Sequence, residues 1–275
     1  MRNNHSKLRV GIVGCGAIGS RIAKSVRYEL KKFCQLSGLH DIDLSKARQL
    51  EESLKLKNVV KPTLTELIQN CDCMVEAVNA AETQSMIRKA LKARKNVLAM
   101  SVGKLLNGRD LFGLAKKNRC SLLIPSGAIA GLDAIKAAGL AGFQSITLTT
   151  RKPPFGFKDN AYLKEKGIDL SKIRQETVLF EGSVEKAVQY FPQNINVAAT
   201  LALASQGKNK VRIRIVTSSQ YKTNSHEIEA QGPFGRILTQ TDNVVCPDNP
   251  KTSYLAVLSG IQTLKQFCMG VWIGT

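Results

Sequence analysis

A glycine-rich turn close to the amino terminus contains the residue types and spacing that most clearly serve chemistry. Gly14, Gly16 and Gly19 form a Gly-x-Gly-x-x-Gly pattern, which follows an apolar segment at 8–13 and precedes an amphipathic one. In this setting the first glycine permits a tight turn, the second lets the backbone approach a pyrophosphate, and the third lets a helix pack against the strand. Free N–H groups at the start of that helix bind phosphate. The pattern therefore predicts a dinucleotide site formed by Gly14, Gly16, Ala17, Ile18 and Gly19.

An acidic residue stands where the ribose of such a dinucleotide is usually bound. The second predicted strand, at 36–40, is followed by Asp41, 22 residues after Gly19. A carboxylate at this position accepts hydrogen bonds from the ribose hydroxyls of NAD, whereas NADP carries a 2′-phosphate there that the carboxylate repels. His40 and Lys46 lie close enough in the sequence to soften that repulsion. The cofactor is therefore predicted to be NAD or NADP.

His226 is the side chain best suited by type to move a proton near neutral pH. The sequence contains three histidines. His5 lies in the amino-terminal tail, and His40 adjoins the acid of the predicted ribose site. His226 begins a predicted strand, and we interpret it as a catalytic base. The alternative is a structural histidine of the core, and the residues by themselves leave both interpretations open.

Three further positions are candidates for binding the anionic groups of a substrate. Arg151 and Lys152 follow a predicted strand at 145–150, and Asn194 stands at the start of a predicted helix. Cationic side chains and helix N-termini both bind carboxylates. Each position also has a simpler explanation, as a solvated charge or an ordinary helix start. A turn of small residues at 126–134 is either part of the ligand site or a hinge between domains.

These residues must be positioned by two regions of different character. The first half alternates strand and helix patterns, which predicts a mainly parallel, doubly wound sheet, the Rossmann fold of the α/β class. The second half predicts a mixed α+β domain, with a hairpin at the Gly-Pro-Phe-Gly turn 232–235 and a mobile loop at 153–172. The predicted division is a dinucleotide-binding domain at 1–128, rejoined by a carboxy-terminal helix at 248–275, and a substrate, catalytic and dimerisation domain at 129–247.

Composition limits the classes of protein to which this chain can belong. It has 275 residues, 43% of them hydrophobic, and it lacks an uninterrupted apolar run of the ~18 residues that span a membrane. Its seven cysteines are odd in number and include no Cys-x-x-Cys pair, which argues against a disulfide framework or a zinc site. A cytoplasmic protein is therefore expected. The net charge of +19 suits a nucleic-acid binder. Because the basic residues are dispersed, we interpret the charge as a solvated surface without a specific nucleic-acid or membrane partner.

Taken together, the motifs resemble those of one family, the archaeal and bacterial L-aspartate dehydrogenases. The resemblance covers nearly all of the chain from Leu8, although Ala130 stands where a glycine is common in the family. The segments that carry it are GCGAIG at 14–19, SGAIAGLDA at 126–134, LTTRK at 148–152, FEGS at 180–183, FPQNINVAATLALAS at 191–205, NSHEI at 224–228 and NPKTSY at 249–254.

That resemblance implies a fold, an activity and roles for particular residues. The implied architecture is similar to that of dihydrodipicolinate reductase, a Rossmann domain followed by a mixed α/β domain, assembled as a homodimer. The implied reaction is the oxidative deamination of L-aspartate to iminoaspartate, which hydrolyses to oxaloacetate and ammonia and feeds NAD biosynthesis. By match of position, Ala128 and Asn196 contact the dinucleotide, Asp41 binds its ribose, and His226 is the active-site histidine.

Two other classes of function stay open at the level of sequence. One is another two-domain Rossmann oxidoreductase, although the paired histidines of dihydrodipicolinate reductases and the Glu-Lys-Pro of sugar dehydrogenases are absent from the sequence. The other is a non-catalytic regulator that senses NAD or binds nucleic acid, which the charge of +19 would suit. His226 favours an enzyme, because a sensor has no need of a base.

Overall fold

The chain divides into two compact units. The first comprises residues 1–125 and 257–272, and the second comprises residues 126–256 and 273–275. The sequence-based boundary falls after residue 128, slightly later than this division, and the carboxy-terminal helix belongs to the first unit from Val257 onward. The computed structural model describes residues 7–78, 80–192, 195–205, 210–247 and 249–274.

The first unit is built on a five-stranded sheet in which every pairing is parallel. Its strands are β1 Leu8–Val13, β2 Cys34–His40, β3 Cys73–Glu76, β4 Asn96–Ala99 and β5 Leu122–Leu123. They lie in the order β2-β1-β3-β4-β5. Val60 adds an isolated parallel bridge to Leu39, outside β2, which completes the strand order of a Rossmann fold. The order therefore changes direction between β1 and β3, and ligands bind at the carboxyl ends of strands beside such a point.

Helices connect these strands, and all but α4 begin at a capping side chain or a glycine. They are α1 Ala17–Lys24, α2 Leu44–Ser53, α3 Leu64–Gln69, α4 Thr83–Lys92 and α5 Arg109–Lys117. Asp43 caps α2 and Thr63 caps α3 through side-chain oxygens that accept backbone N–H groups. Gly16, the residue before α1, provides no such cap. Ile22 and Ala23 of α1 are fully buried, so the amphipathic pattern seen in the sequence correctly predicts which face packs inward.

The second unit contains a mixed five-stranded sheet. Its strands are β6 Ser145–Lys152, β7 Thr177–Ser183, β8 Val211–Thr217, β9 Asn224–Gly232 and β10 Gly235–Asn243. They lie in the order β10-β9-β6-β8-β7, with β6 and β8 parallel and the other pairs antiparallel. The predicted hairpin is confirmed, because Gly232 pairs with Gly235 across a two-residue turn. A further small pair follows, β11 Val245–Cys246 and β12 Asn249–Ser253.

The two faces of this second sheet differ in polarity. One face is apolar and buried, with Leu148, Ile213 and Ile228 among its residues, and the other face includes ion pairs such as Arg236 with Glu229. Strand residues alternate between faces, so neighbours along a strand point in opposite directions. The helices that follow β5 in the chain are α6 Leu132–Gly139, α7 Ala161–Glu165, α8 Val184–Tyr190, α9 Ile195–Ala204 and α10 Tyr254–Met269, of which α10 belongs to the first unit from Val257 onward. No described helix combines the length and apolarity needed to cross a membrane.

The segment 153–172, predicted to be a mobile loop, is instead folded into helical turns. These are α7 and two short 3-10 turns, at Pro154–Phe157 and Leu170–Lys172. Phe157 is buried and meets Phe191 at a ring separation of 6.0 Å, and Tyr162 stacks on Tyr190 at 4.3 Å. The prediction was wrong because the Pro, Gly and Lys content suggested a solvated loop, whereas contacts with aromatic residues distant in sequence order the segment.

Candidate active site

The glycine-rich turn between β1 and α1 has a geometry that requires glycine. Gly14 has a φ of +93°, and a Cβ there would lie 2.6 Å from Val78 Cγ1 and 2.7 Å from the Ala77 carbonyl oxygen. A Cβ at Gly19 would lie 1.8 Å from the carbonyl oxygen of Gly14. Both positions therefore exclude a side chain for reasons internal to the protein.

Gly16 differs, because among the described residues no atom would lie within 4 Å of a Cβ added there. It precedes α1 directly, and Ala17 and Ile18 form the first turn of that helix. The helix start therefore presents backbone N–H groups to a space that a side chain at position 16 would occupy. This arrangement fits the pyrophosphate of a dinucleotide, and the predicted residues of the turn are thus brought together at one edge of the first sheet.

Asp41 is fixed in place by the backbone on both oxygens of its carboxylate. The N–H of Cys15 donates to Oδ2 at 2.7 Å, and the N–H of Asp43 donates to Oδ1 at 3.0 Å. The residue is 8% exposed. A carboxylate oxygen accepts more than one hydrogen bond, so each oxygen retains capacity for a ribose hydroxyl. Asp41 thus joins the glycine-rich turn to the carboxyl end of β2, as the ribose assignment requires.

We expect Asp41→Ala to weaken NAD binding by about 10–100-fold, because charge-assisted hydrogen bonds contribute about 1.5–3 kcal/mol each. NADP should lose much less, because its 2′-phosphate gains from removal of a negative charge. Kd values for both cofactors, measured by calorimetry, give the ratio. Asp41→Asn is the matched control, since it removes the charge and keeps an oxygen acceptor. Equal losses for NAD and NADP would show that Asp41 only braces the turn.

Glu76 supports the same edge of the sheet and was not among the predicted site residues. It is fully buried at the end of β3, and burial raises the pKa of its carboxyl group. It accepts hydrogen bonds from the N–H of Val78 at 2.8 Å and from the hydroxyl and N–H of Ser101 at 2.8 and 3.1 Å. Glu76 therefore ties the end of β3 to the segment after β4, beside the residues that contact Gly14. The signal was present in the sequence as one acid in an otherwise apolar strand.

His226 lies in the second unit, on β9, and is 6% exposed. Its Nδ1 is 3.0 Å from the hydroxyl oxygen of Thr150, which is the residue paired with it on β6. Burial, and secondarily the charge of Lys152, lower the pKa of His226 to about 3. The imidazole is therefore neutral throughout the physiological range, which is the form that accepts a proton. The residue type alone predicts titration near neutral pH, but burial shifts the pKa of this imidazole well below that range.

Lys152 and Arg151, two candidates for substrate binding, lie on opposite faces of β6. Lys152 shares the face of Thr150 and His226, and burial lowers its pKa to about 8. Arg151 lies on the other face, where its guanidinium contacts Glu227 at 3.2 Å and Glu176 at 3.7 Å. The structure therefore places Lys152, and not Arg151, beside the candidate base.

The turn containing Ala128 is held by the hairpin that carries His226. The Ala128 carbonyl accepts hydrogen bonds from the Thr241 hydroxyl at 2.7 Å and from the Asn243 side-chain amide at 3.2 Å. The Thr241 hydroxyl also lies 3.4 Å from the His226 carbonyl, because Thr241 is the residue paired with His226 across β9 and β10. Ala128 and His226 are thus tied to one another through a threonine that the sequence analysis did not identify.

The remaining predicted residues are placed as follows. Asn196 lies in the first turn of α9, with an exposed side chain, and its carbonyl accepts a hydrogen bond from the Thr200 hydroxyl at 2.8 Å. Asn194 and His5 lie outside the described residues. The roles of Asn196 and Asn194 therefore stay predictions.

Comparison with protein families matches each unit separately. Residues 14–125 match the NAD-binding domain of homoserine dehydrogenase. Residues 133–267 match the carboxy-terminal domain of aspartate dehydrogenase. The division between these matches agrees with the change from a parallel to a mixed sheet.

Relatives of known name cover almost the whole chain. An L-aspartate dehydrogenase of Methanosarcina mazei is 44% identical, over 98% of this chain and 100% of its own length. One of Methanosarcina barkeri is 41% identical, with the same shares covered. The crystal structure of an aspartate dehydrogenase from Thermotoga maritima superposes with a TM-score of 0.70 and 23% identity, over 98% of this chain and 100% of that one, which supports the fold. The chain belongs to the L-aspartate dehydrogenase family.

Proposed function

We propose that the protein is an oxidoreductase that converts L-aspartate to iminoaspartate with NAD or NADP, and that iminoaspartate then hydrolyses to oxaloacetate and ammonia. Membership of the family is the observation that carries this proposal. The glycine-rich turn and Asp41 supply a place for the cofactor, and His226 with Lys152 supplies a base and a cation for the substrate. When bound, the nicotinamide accepts the hydride from the α-carbon of aspartate.

His226 performs the proton transfer that the reaction needs. The amino group of aspartate must lose a proton before hydride can leave the adjacent carbon, and a neutral imidazole is suited to accept that proton. Thr150 holds the ring through Nδ1, which leaves Nε2 to face the substrate. Once that proton has passed to solvent, the same nitrogen can take a proton from the water that attacks the imine.

The substrate is an anion with two carboxylates, and two cationic side chains of the second unit lie on opposite faces of β6. Lys152 faces the side of the sheet that carries His226. Arg151 is already engaged by Glu227 and Glu176, and we therefore assign it to support of the sheet. Asn194 stays a candidate for one carboxylate. The proposed small-molecule partners are thus L-aspartate, or oxaloacetate with ammonia. We also propose that the protein acts as a homodimer in the cytoplasm without a specific nucleic-acid partner, and that its product feeds NAD biosynthesis.

The test is an absorbance assay of nicotinamide reduction with purified protein. We expect activity with L-aspartate and NAD, and reductive amination of oxaloacetate with ammonia and NADH, between about pH 7 and pH 10, where a growing share of the amine is unprotonated. L-glutamate and L-malate are matched controls, because the first is longer by one methylene and the second lacks the amino group. If the folded protein bound NADH but catalysed neither the oxidation of L-aspartate nor the reductive amination of oxaloacetate, the proposal of an enzyme would be contradicted and a cofactor-sensing regulator favoured.

A further inference from the structure

Lys152 and His226 are diagonal neighbours on one face of the second sheet. Thr150 pairs with His226 in the antiparallel ladder of β6 and β9, and Lys152 follows two residues later on the same face of β6. Diagonal neighbours in such a ladder have α-carbons about 7–8 Å apart, within reach of long side chains. The ammonium group and the imidazole thus belong to one local site.

The stem and the backbone carbonyl of Lys152 both have close neighbours within the second unit. Its Cβ and Cδ pack beside Gly156, each 3.5 Å from where a Cβ of that glycine would lie. The Lys152 carbonyl accepts a hydrogen bond from the buried Thr217 hydroxyl at 2.8 Å. Glu227 and Glu176 lie on the opposite side, where Arg151 binds both, and the Tyr221 hydroxyl donates to Glu176. These two acids therefore serve the other face of the sheet.

The two groups influence one another electrostatically. Burial lowers the pKa of Lys152 to about 8, so near neutral pH the ammonium form predominates. Its positive charge adds to the effect of burial in lowering the pKa of His226 to about 3. A carboxylate bound at Lys152 would offset that charge and stabilise an imidazolium beside it, since an opposite charge within about 4–6 Å raises the pKa of a basic group by about 1–3 units.

We propose that Lys152 binds a carboxylate of the substrate, and that this ion pair turns His226 into a competent base only when a substrate is in place. The inference rests on the proposed function and assigns to Lys152 a role that is both binding and positioning. It also accounts for a base that is deeply buried beside a cation. Without substrate the site resists protonation, and with substrate the proton released by the amine has a favourable acceptor.

The direct test follows His226 by NMR in protein with carbon-13-labelled histidine, using succinate as a dicarboxylate without an amino group. The His226 resonance is identified by its loss in His226→Gln. In the wild-type protein without succinate we expect it to stay in the neutral form between about pH 5 and pH 9. The succinate concentration is raised at low pH, where succinate itself takes up protons, so that the dianion still saturates the site, and the titration midpoint of His226 should then rise by about one pH unit or more. A midpoint that does not move while succinate binds would overturn the proposal, and this arm needs no substitution at Lys152.

Substitutions then assign the effect to Lys152. In Lys152→Met the midpoint of His226 should be higher without succinate, succinate should not move it, and the Kd for succinate should rise by about tenfold or more, as expected for loss of a charge-assisted contact. Lys152→Arg should restore both responses. Lys172→Met is the matched control, because that side chain is 84% exposed and the substitution should change neither. Wild-type affinity in Lys152→Met would contradict the proposal.

The pH dependence of binding provides a readout that a structural role would not give. The Kd of the wild-type protein for succinate should rise about tenfold per pH unit above about pH 8, as Lys152 loses its proton, and should stay flat in Lys152→Arg. A protein that shows these responses yet does not oxidise L-aspartate would contradict the proposed function alone. A protein that oxidises L-aspartate but lacks them would contradict this inference alone.

Discussion

His226→Ala is expected to lower kcat for L-aspartate by about 10²–10⁴-fold, the usual contribution of a positioned general base. The loss should appear in kcat, because the proton must leave the amine before the hydride does. Affinity for NADH should be nearly unchanged, since the glycine-rich turn and Asp41 belong to the first unit. Stopped-flow turnover and fluorescence titration of NADH measure the two quantities separately.

Thr150→Val provides the graded control for this experiment. It keeps the shape of the side chain and removes the hydroxyl that lies 3.0 Å from Nδ1. We expect a smaller loss of kcat than in His226→Ala, because the imidazole is present but its orientation is no longer fixed. Near wild-type turnover in His226→Ala, with the protein folded, would mean that His226 is structural and that another group takes the proton.

Gly16→Ala and Gly19→Ala should both weaken cofactor binding, but for different reasons. At Gly16 a methyl group would enter a space that no described protein atom occupies within 4 Å, so the fold should persist while NAD affinity falls by about 10–100-fold. At Gly19 the methyl group would overlap the Gly14 carbonyl oxygen at 1.8 Å. Helix α1 must then shift, and the melting temperature should fall by about 5 °C or more.

Melting curves with and without NADH distinguish the two variants. Gly16→Ala should melt near the wild-type temperature and gain less stability than the wild-type protein from the same concentration of NADH, because the gain depends on the ratio of ligand concentration to Kd. Gly113→Ala is the matched control, since it lies in α5 and no described atom would lie within 4 Å of a Cβ added there. If Gly16→Ala bound NADH with wild-type affinity, the assignment of the pyrophosphate to this turn would be wrong.

Local rules predicted the geometry of the glycine-rich turn well, because that geometry depends on neighbours in the sequence. Three glycines at fixed spacing determine the turn, and an acid at the end of the next strand supplies the carboxylate that contacts it. The role of Glu76 depends instead on Ser101, in a segment that follows the adjacent strand. Pairing of that kind is set by the packing of the whole sheet, so the sequence indicates the acid and not its partner.

In the second unit, strand alternation and hairpin register allow predictions about side-chain positions that the hydrophobic pattern alone does not give. The predicted strand at 145–150 was two residues too short, since β6 extends to Lys152. Within a strand, adjacent side chains point to opposite faces, so Arg151 and Lys152 were never equivalent candidates. Counting outward from the two-residue turn of the hairpin also pairs Thr241 with His226. The contact of Thr241 with Ala128 could not be found in this way, because it joins segments far apart in the chain.

The hairpin register limits how this protein can change in length. His226 pairs with Thr241 because a fixed number of residues separates it from the turn between Gly232 and Gly235, and the same strand pairs it with Thr150 of β6. With the turn held in place, one residue inserted or deleted in that interval would move every preceding side chain of β9 to the other face of the sheet, and His226 would leave the face that carries Thr150. Relatives of this enzyme can therefore vary in the identity of residues 227–231 far more readily than in their number.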